Sequence, residues 1–148
     1  MTVFQVTQDK KKYIDLLLLA DEDEGMIDLY LSRGEMYAMA EDTDVVCVCV
    51  VTDEGDDTLE IKNIATRPDA QGRGYGKKMI TFIEEHYRDR FHTLLVGTGD
   101  SPLTVPFYEK CGFSRSHIIP NFFKDNYDHP IVECGVTLCD MVYLKKAL

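Results

Sequence analysis

The stretch from residue 58 to residue 89 constrains this chain most, because its hydrophobic period changes there across a short glycine-rich loop. Residues 58–66, Thr-Leu-Glu-Ile-Lys-Asn-Ile-Ala-Thr, read as a strand. After Pro68, Gly76, Met79, Ile80, Ile83 and Tyr87 fall on one face of a helix spanning about 74–89. Between them lies Gln71-Gly72-Arg73-Gly74-Tyr75-Gly76-Lys77-Lys78. A strand that turns through alternate glycines directly into an amphipathic helix requires a sheet with that helix packed on it.

The flanking sequence extends this layout. Thr7 or Asp9 is placed to cap a first helix carrying Tyr13, Leu16, Leu17 and Ala20, which Asp21-Glu22-Asp23-Glu24-Gly25 interrupts. A second short helix through Met26, Ile27, Tyr30 and Leu31 stops by Gly34. Strands are predicted over about 35–41, 45–52 and 58–66, the last two joined by the loop Asp53-Glu54-Gly55-Asp56-Asp57. Thr93–Thr98 reads as a buried strand. Ser101-Pro102 resembles an N-cap followed by proline at the first helical position, and Gly112 a left-handed C-cap. They bound a helix over 102–111 that Pro106 should weaken or kink. Phe113–Ile119 and about 136–145 complete the set as strands. The expected fold is α/β (α+β): one domain over 1–148, a mostly antiparallel mixed sheet of six to seven strands, and helices on both faces.

Composition narrows the class. Of 148 residues, 45% are hydrophobic and 28% charged, the profile of a water-soluble domain. The run Leu16–Ala20 is too short for a bilayer, and Met1-Thr2-Val3-Phe4 has neither a basic leader nor an apolar signal core. The net charge is −10, with sixteen acidic and four basic side chains in residues 1–60 against ten and twelve in residues 61–148. An acidic chain without a basic stripe is a poor partner for nucleic acid. Five cysteines, an odd number, argue against a closed disulfide framework. Cys47 and Cys49 sit two apart in a strand and read as small buried hydrophobes on one face. Cys134 and Cys139 lack neighbours at zinc spacing, so no metal is expected. A reducing, cytoplasmic location is the simplest reading.

The loop itself suits an anion. Alternate glycines permit close backbone approach, the following helix N-terminus presents free N–H groups, and Arg73, Lys77 and Lys78 add cations. A dinucleotide fingerprint starting at Gly72 would need glycine at 77, where Lys77 stands. A phosphate-loop reading ending at Gly76-Lys77 would need glycine at 71 and Ser or Thr at 78, where Gln71 and Lys78 stand. A tight turn with no ligand is the remaining local alternative.

The arrangement Gln-x-x-Gly-x-Gly after a strand and a proline resembles the phosphate-binding motif of the GNAT acyl-CoA N-acetyltransferase superfamily. The stretch Leu59-Glu60-Ile61-Lys62-Asn63-Ile64-Ala65-Thr66-Arg67-Pro68 is similar to that family's fourth strand entering the loop. Downstream, Phe107-Tyr108-Glu109-Lys110-Cys111-Gly112-Phe113 resembles its second signature, aromatic-Tyr-x-x-x-Gly-Phe. The resemblance is specific across residues 59–113 and implies acetyl-CoA as co-substrate with no metal.

It further implies direct attack of an amine on the thioester while both substrates are bound. The Ile64 N–H would polarise the acetyl carbonyl, and the backbone of Ala65 and Thr66 would hold the pantetheine arm. Gln71, Gly72, Arg73, Gly74, Tyr75, Gly76 and Lys77 would surround the pyrophosphate. Glu60 takes the position of a general base and Tyr108 that of the acid protonating the departing thiolate. On a regular strand Glu60, Lys62 and Ile64 face one way, a register that a bulge would change. Glu60 as a solvent-facing partner of a cross-strand cation, and Tyr108 as a core aromatic, are the structural alternatives. Where the family often carries a cofactor-binding Asn, this chain has Ser101, which serves equally as a helix cap.

The resemblance puts the acceptor between the N-terminal helices and the last strands. There Asp21, Glu22, Asp23 and Glu24 would draw in a small cationic amine, although such a run also serves as a solvated face. The segment Asn121–Glu133, with Phe122, Phe123, Tyr127 and His129, would face the acceptor. A small-molecule amine is the expected partner; nucleic acid and membrane are not, and a homodimer is compatible. A protein or peptide N-acetyltransferase and a non-catalytic acyl-CoA sensor are the alternatives.

Overall fold

The computed structural model describes residues 1–148 and is built on a seven-stranded sheet. In chain order the strands are β1 (Thr2–Val6), β2 (Glu35–Glu41), β3 (Asp44–Asp53), β4 (Thr58–Thr66), β5 (Thr93–Gly99), β6 (Ser114–Ile119), β7 (Val132–Glu133), β8 (Val136–Thr137) and β9 (Met141–Ala147). The helices are α1 (Ile14–Ala20), α2 (Glu24–Leu31), α3 (Tyr75–Tyr87), α4 (Thr104–Lys110) and α5 (Phe122–Asn126). The sheet order is β1-β2-β3-β4-β5-β9-β6, while β7 and β8 form a separate hairpin. Every pairing is antiparallel except β4 with β5. The expected α/β domain with a mixed sheet between helices is therefore what the chain forms.

Two cores lie on opposite faces of the sheet. Met79, Ile80, Ile83 and Tyr87 of α3 pack on one face, and α1 and α2 cover the other through Leu17, Ile27 and Leu31. Ile80 and Ile83 are 1% and 0% exposed, each contributing about 1.5–3 kcal/mol of transfer free energy. In β3, Cys47, Cys49 and Val51 face the α3 side and Val48 and Val50 the other, so the strand is apolar on both faces. All five cysteines are free thiols, and burial pushes the Cys47 thiol up to about 11.

Local expectations needed correction at five places. Asp9 does not cap α1; it adopts φ 50 ahead of a 3₁₀ turn at Lys10–Tyr13, and α1 begins only at Ile14. The strand β1 was not anticipated, because it alternates poorly and joins the sheet edge by backbone pairing with β2. The strand expected over 136–145 divides into β8 and β9, and α5 lies in a segment read only as a loop. Helix α4 starts at Thr104, so Pro106 falls in its first turn, where an N–H would lack an intrahelical partner anyway and no kink is required.

The end of α4 follows its local sequence. Gly112 has φ 96, its N–H donates to the Glu109 carbonyl at 3.0 Å, and the Phe113 N–H reaches back to the Tyr108 carbonyl at 3.1 Å. This paired closure fixes the last turn of the helix and with it the position of Tyr108.

Candidate active site

The site begins where β4 and β5 separate. Their parallel pairing covers Thr58–Ile61 against Thr93–Val96 and then stops, although β4 continues to Thr66 and β5 to Gly99. A β-bulge causes part of the divergence: Val50 lies opposite Asn63 and Val51 opposite Ile61, so Lys62 has no partner across the ladder. The extra residue also reverses the faces of β4. Leu59 and Ile61 point to the α3 core, whereas Asn63 and Ala65 turn toward α1 and α2.

Two cavities open from this split. One, of about 510 Å³, is lined by Ala20, Asp21 and Glu22 at the α1–α2 junction, by residues of β4 and β5, and by Phe123, Tyr127, Ile131 and Glu133. The other, of about 390 Å³, lies between the glycine loop and α4 and includes Gly72, Gly74, Tyr75, Gly76 and Lys77. Ile64, Thr66, Gln71, Thr104 and Tyr108 line both. The two cavities thus share one set of wall residues.

The glycine-loop cavity has the electrostatics of an anion site. Gly72 and Gly74 take φ 79 and φ 83, and Gly74 caps α3. A Cβ at either would meet open space, so backbone conformation, not crowding, is what demands glycine there. The first turn of α3 holds no acidic residue, and Lys77 and Lys78 follow, so the positive end of the helix dipole is not opposed. Gln71 is held by its amide to the Thr66 carbonyl at 3.2 Å. These features fit a CoA pyrophosphate.

The remaining sequence-derived residues divide clearly. Tyr108 is 7% exposed, and burial raises its hydroxyl well above the ordinary phenol value, keeping it an O–H donor. Its ring packs edge-on to Phe107 and Phe113. Ala65 lines only the larger cavity. Arg73 lines neither. Ser101 is 2% exposed and also lines neither; its Oγ accepts the Leu103 N–H at 3.1 Å, a capping turn just ahead of α4.

Glu60 is 6% exposed and pairs with Lys62 at 3.1 Å. Burial raises its carboxyl above the ordinary value, with Lys62 opposing the rise. Its side chain is not on either cavity wall, whereas Lys62 lines the larger one. The bulge therefore separates Glu60 from Ile64, which packs toward the α3 core.

Several lining residues carried no sequence signal of their own. Thr104 lines both cavities, and its hydroxyl accepts from Thr98 at 2.9 Å. Phe107, which the second signature carries only as its aromatic, lines the glycine-loop cavity. Asn63 is 2% exposed; its Nδ2 donates to the Leu17 carbonyl at 3.0 Å and to the Tyr30 hydroxyl at 3.1 Å. An Asn in the middle of an apolar strand was the one available hint for that residue. The acidic run and the aromatic segment do converge: the Tyr127 hydroxyl donates to Asp21 Oδ1 at 2.8 Å. His129 stays at the surface on Asp128.

No group of three or more His, Cys, Asp or Glu side chains is arranged to hold a metal ion. No helix is long and apolar enough to cross a membrane.

Comparison with known proteins agrees with this geometry. The family model for the acetyltransferase (GNAT) domain matches residues 32–115. An uncharacterized N-acetyltransferase, YvbK, of Bacillus subtilis (strain 168) is 38% identical over 132 residues, covering 88% of this chain and 85% of that protein. A GNAT family acetyltransferase from Elizabethkingia anophelis, solved with acetyl-CoA bound, superposes with a TM-score of 0.94 at 35% identity over 99% of this chain and 97% of that one. An acetyltransferase of Bacillus subtilis in complex with CoA gives 0.90 at 34% identity, with 99% and 97% covered.

Proposed function

The chain belongs to the GNAT acetyltransferase family, an acyltransferase using acetyl-CoA, and on that premise we propose that it acetylates a primary amine on a small cationic molecule. The observation that carries this reading is the pair of cavities sharing Ile64, Thr66, Gln71, Thr104 and Tyr108. One side has the chemistry of a pyrophosphate cradle, and the other carries Asp21, Glu22 and Glu133 against the single cation Lys62, itself paired with Glu60. Such a field favours a cationic acceptor and raises its encounter rate. Phe123, Tyr127 and Ile131 flank the acceptor side and favour a small molecule over a protein chain.

Each residue then has a role. When bound, acetyl-CoA supplies the thioester. The Ile64 N–H donates toward the carbonyl oxygen as negative charge develops there. Gln71, Gly72, Gly74, Tyr75, Gly76 and Lys77, with the start of α3, hold the pyrophosphate, and the backbone of Ala65 and Thr66 holds the pantetheine arm. An acceptor amine with a pKa of about 10.4 needs roughly 4.6 kcal/mol to be neutral at pH 7. Glu60, raised by burial, offsets part of that as the base. Because its carboxylate is off the cavity wall, a water molecule relays the proton. Tyr108 donates its O–H to the departing sulfur and regains a proton from the amine side. Arg73 supplies positive charge outside the cavity, and Ser101 shapes the turn that presents Thr104.

Calorimetric titration with acetyl-CoA, followed by thiol release on a panel of small amines, tests the reading. Micromolar binding and amine-dependent thiol release are expected. Absence of acetyl-CoA binding to folded protein overturns it.

A further inference from the structure

We propose that Asp21 selects the acceptor: held across the cavity by Tyr127, its carboxylate binds a second ammonium group on an acceptor whose other amine is acetylated. The inference rests on the acceptor being an amine and names the residue that reads the rest of the molecule.

Asp21 stands where α1 ends, on the acceptor cavity but not on the glycine-loop cavity. It receives two hydrogen bonds, from the Tyr127 hydroxyl at 2.8 Å and from the Asp23 N–H at 3.3 Å, and both arrive at Oδ1. The side chain is thereby oriented by its neighbour Asp23 and by Tyr127, 106 residues away in sequence, while Oδ2 accepts no hydrogen bond. No lysine, arginine or histidine pairs with Asp21. A half-buried carboxylate fixed in place without a counter-cation favours a ligand that brings one.

Asp21 is also tied to the middle of β4. Asn63 lines this cavity and is 2% exposed; its Nδ2 donates to Leu17 and Tyr30, and its Oδ1, shielded from solvent, has no partner. It is the single buried side-chain N or O atom in the protein without a partner. Asn63 also reaches Asp21 through the Leu17 carbonyl, which accepts the Asp21 N–H at 3.2 Å. Burial raises the Asp21 carboxyl above its ordinary value, with the hydrogen bonds from Tyr127 and Asp23 opposing the rise.

The test is calorimetric titration of the CoA-saturated protein with 1,4-diaminobutane, with butylamine, and with 4-amino-1-butanol. The diamine is expected to bind about tenfold or more tightly than either monoamine. Asp21→Asn should reduce that preference below about threefold, with unchanged CoA affinity reporting an intact fold. Tyr127→Phe keeps the charge but loses its anchor and should give an intermediate preference; it carries the test if Asp21→Asn does not fold. Equal binding of diamine and monoamines, no binding of any, or a preference that survives Asp21→Asn overturns the proposal. The catalytic reading fails differently, by absent thiol release with every amine, and the binding ratio does not depend on it.

Discussion

The side-chain amide of Asn63 donates to the Leu17 carbonyl at 3.0 Å, tying the middle of β4 to the last turn of α1. The bulge at Lys62 makes this contact, because without the extra residue Asn63 would face the α3 core. Asn63→Ala removes donors from two buried oxygens, those of Leu17 and Tyr30, and is predicted to cost about 1–3 kcal/mol. Thermal melting should show a fall of about 2–4 °C per kcal/mol. The acceptor KM should rise more than the acetyl-CoA dissociation constant, because the α1 end lines only the acceptor side.

Gly74, at φ 83, separates conformational from electrostatic effects. Gly74→Ala introduces a left-handed alanine costing about 1–2 kcal/mol, with no clash. Gly74→Asp adds a negative charge at the N-terminus of α3, beside the pyrophosphate. Calorimetry should show acetyl-CoA binding weakened at least about tenfold in Gly74→Asp and clearly less in Gly74→Ala. Equal binding in the two variants would remove the phosphate role from this loop.

Tyr108→Phe keeps the edge-on packing against Phe107 and Phe113 and deletes only the hydroxyl. Single-turnover rates should fall by about 10²-fold or more, within the range for a lost general acid. Acetyl-CoA affinity should stay within about twofold, since a uniform binding contact would show in affinity instead. A wild-type rate would leave Tyr108 as packing.

Glu60 has a pH signature with a definite sign. A base works ionised, and burial raises the Glu60 carboxyl, so the acid limb of kcat/KM should lie above the ordinary carboxylate value. Lys62 opposes that rise, so Lys62→Met should move the limb further toward neutral pH. Glu60→Gln should lower kcat/KM and abolish the limb. An unchanged profile in Glu60→Gln would take Glu60 out of the mechanism.

Much of the fold was legible because it is encoded over short distances. The face carrying Met79, Ile80, Ile83 and Tyr87 is a helical period, and all four are buried as that period demands. Cys47 and Cys49 obey the two-residue period of a strand. What failed to show was marginal locally: β1 gains its order from pairing with β2, and with only Val6 buried it carries no burial pattern. In the site, the glycine loop and Tyr108 could be read from motifs, whereas Thr104 and Asn63 could not. Their roles come from the separation of β4 and β5 and from the bulge between β3 and β4.

Short-range chemistry alone specifies the strand–loop–helix unit from β4 to α3 and the closure of α4 at Gly112. Hydrophobic period, positive-φ glycines and capping act over a few residues and need no distant partner. The tertiary fold sets the rest: Tyr108 and Ile64 line both cavities, Glu60 pairs with Lys62, and Tyr127 reaches Asp21. Those contacts depend on which strand pairs with which and where one extra residue enters a ladder. That choice is made by burying both faces of the sheet at once, and no local stretch of the chain encodes it.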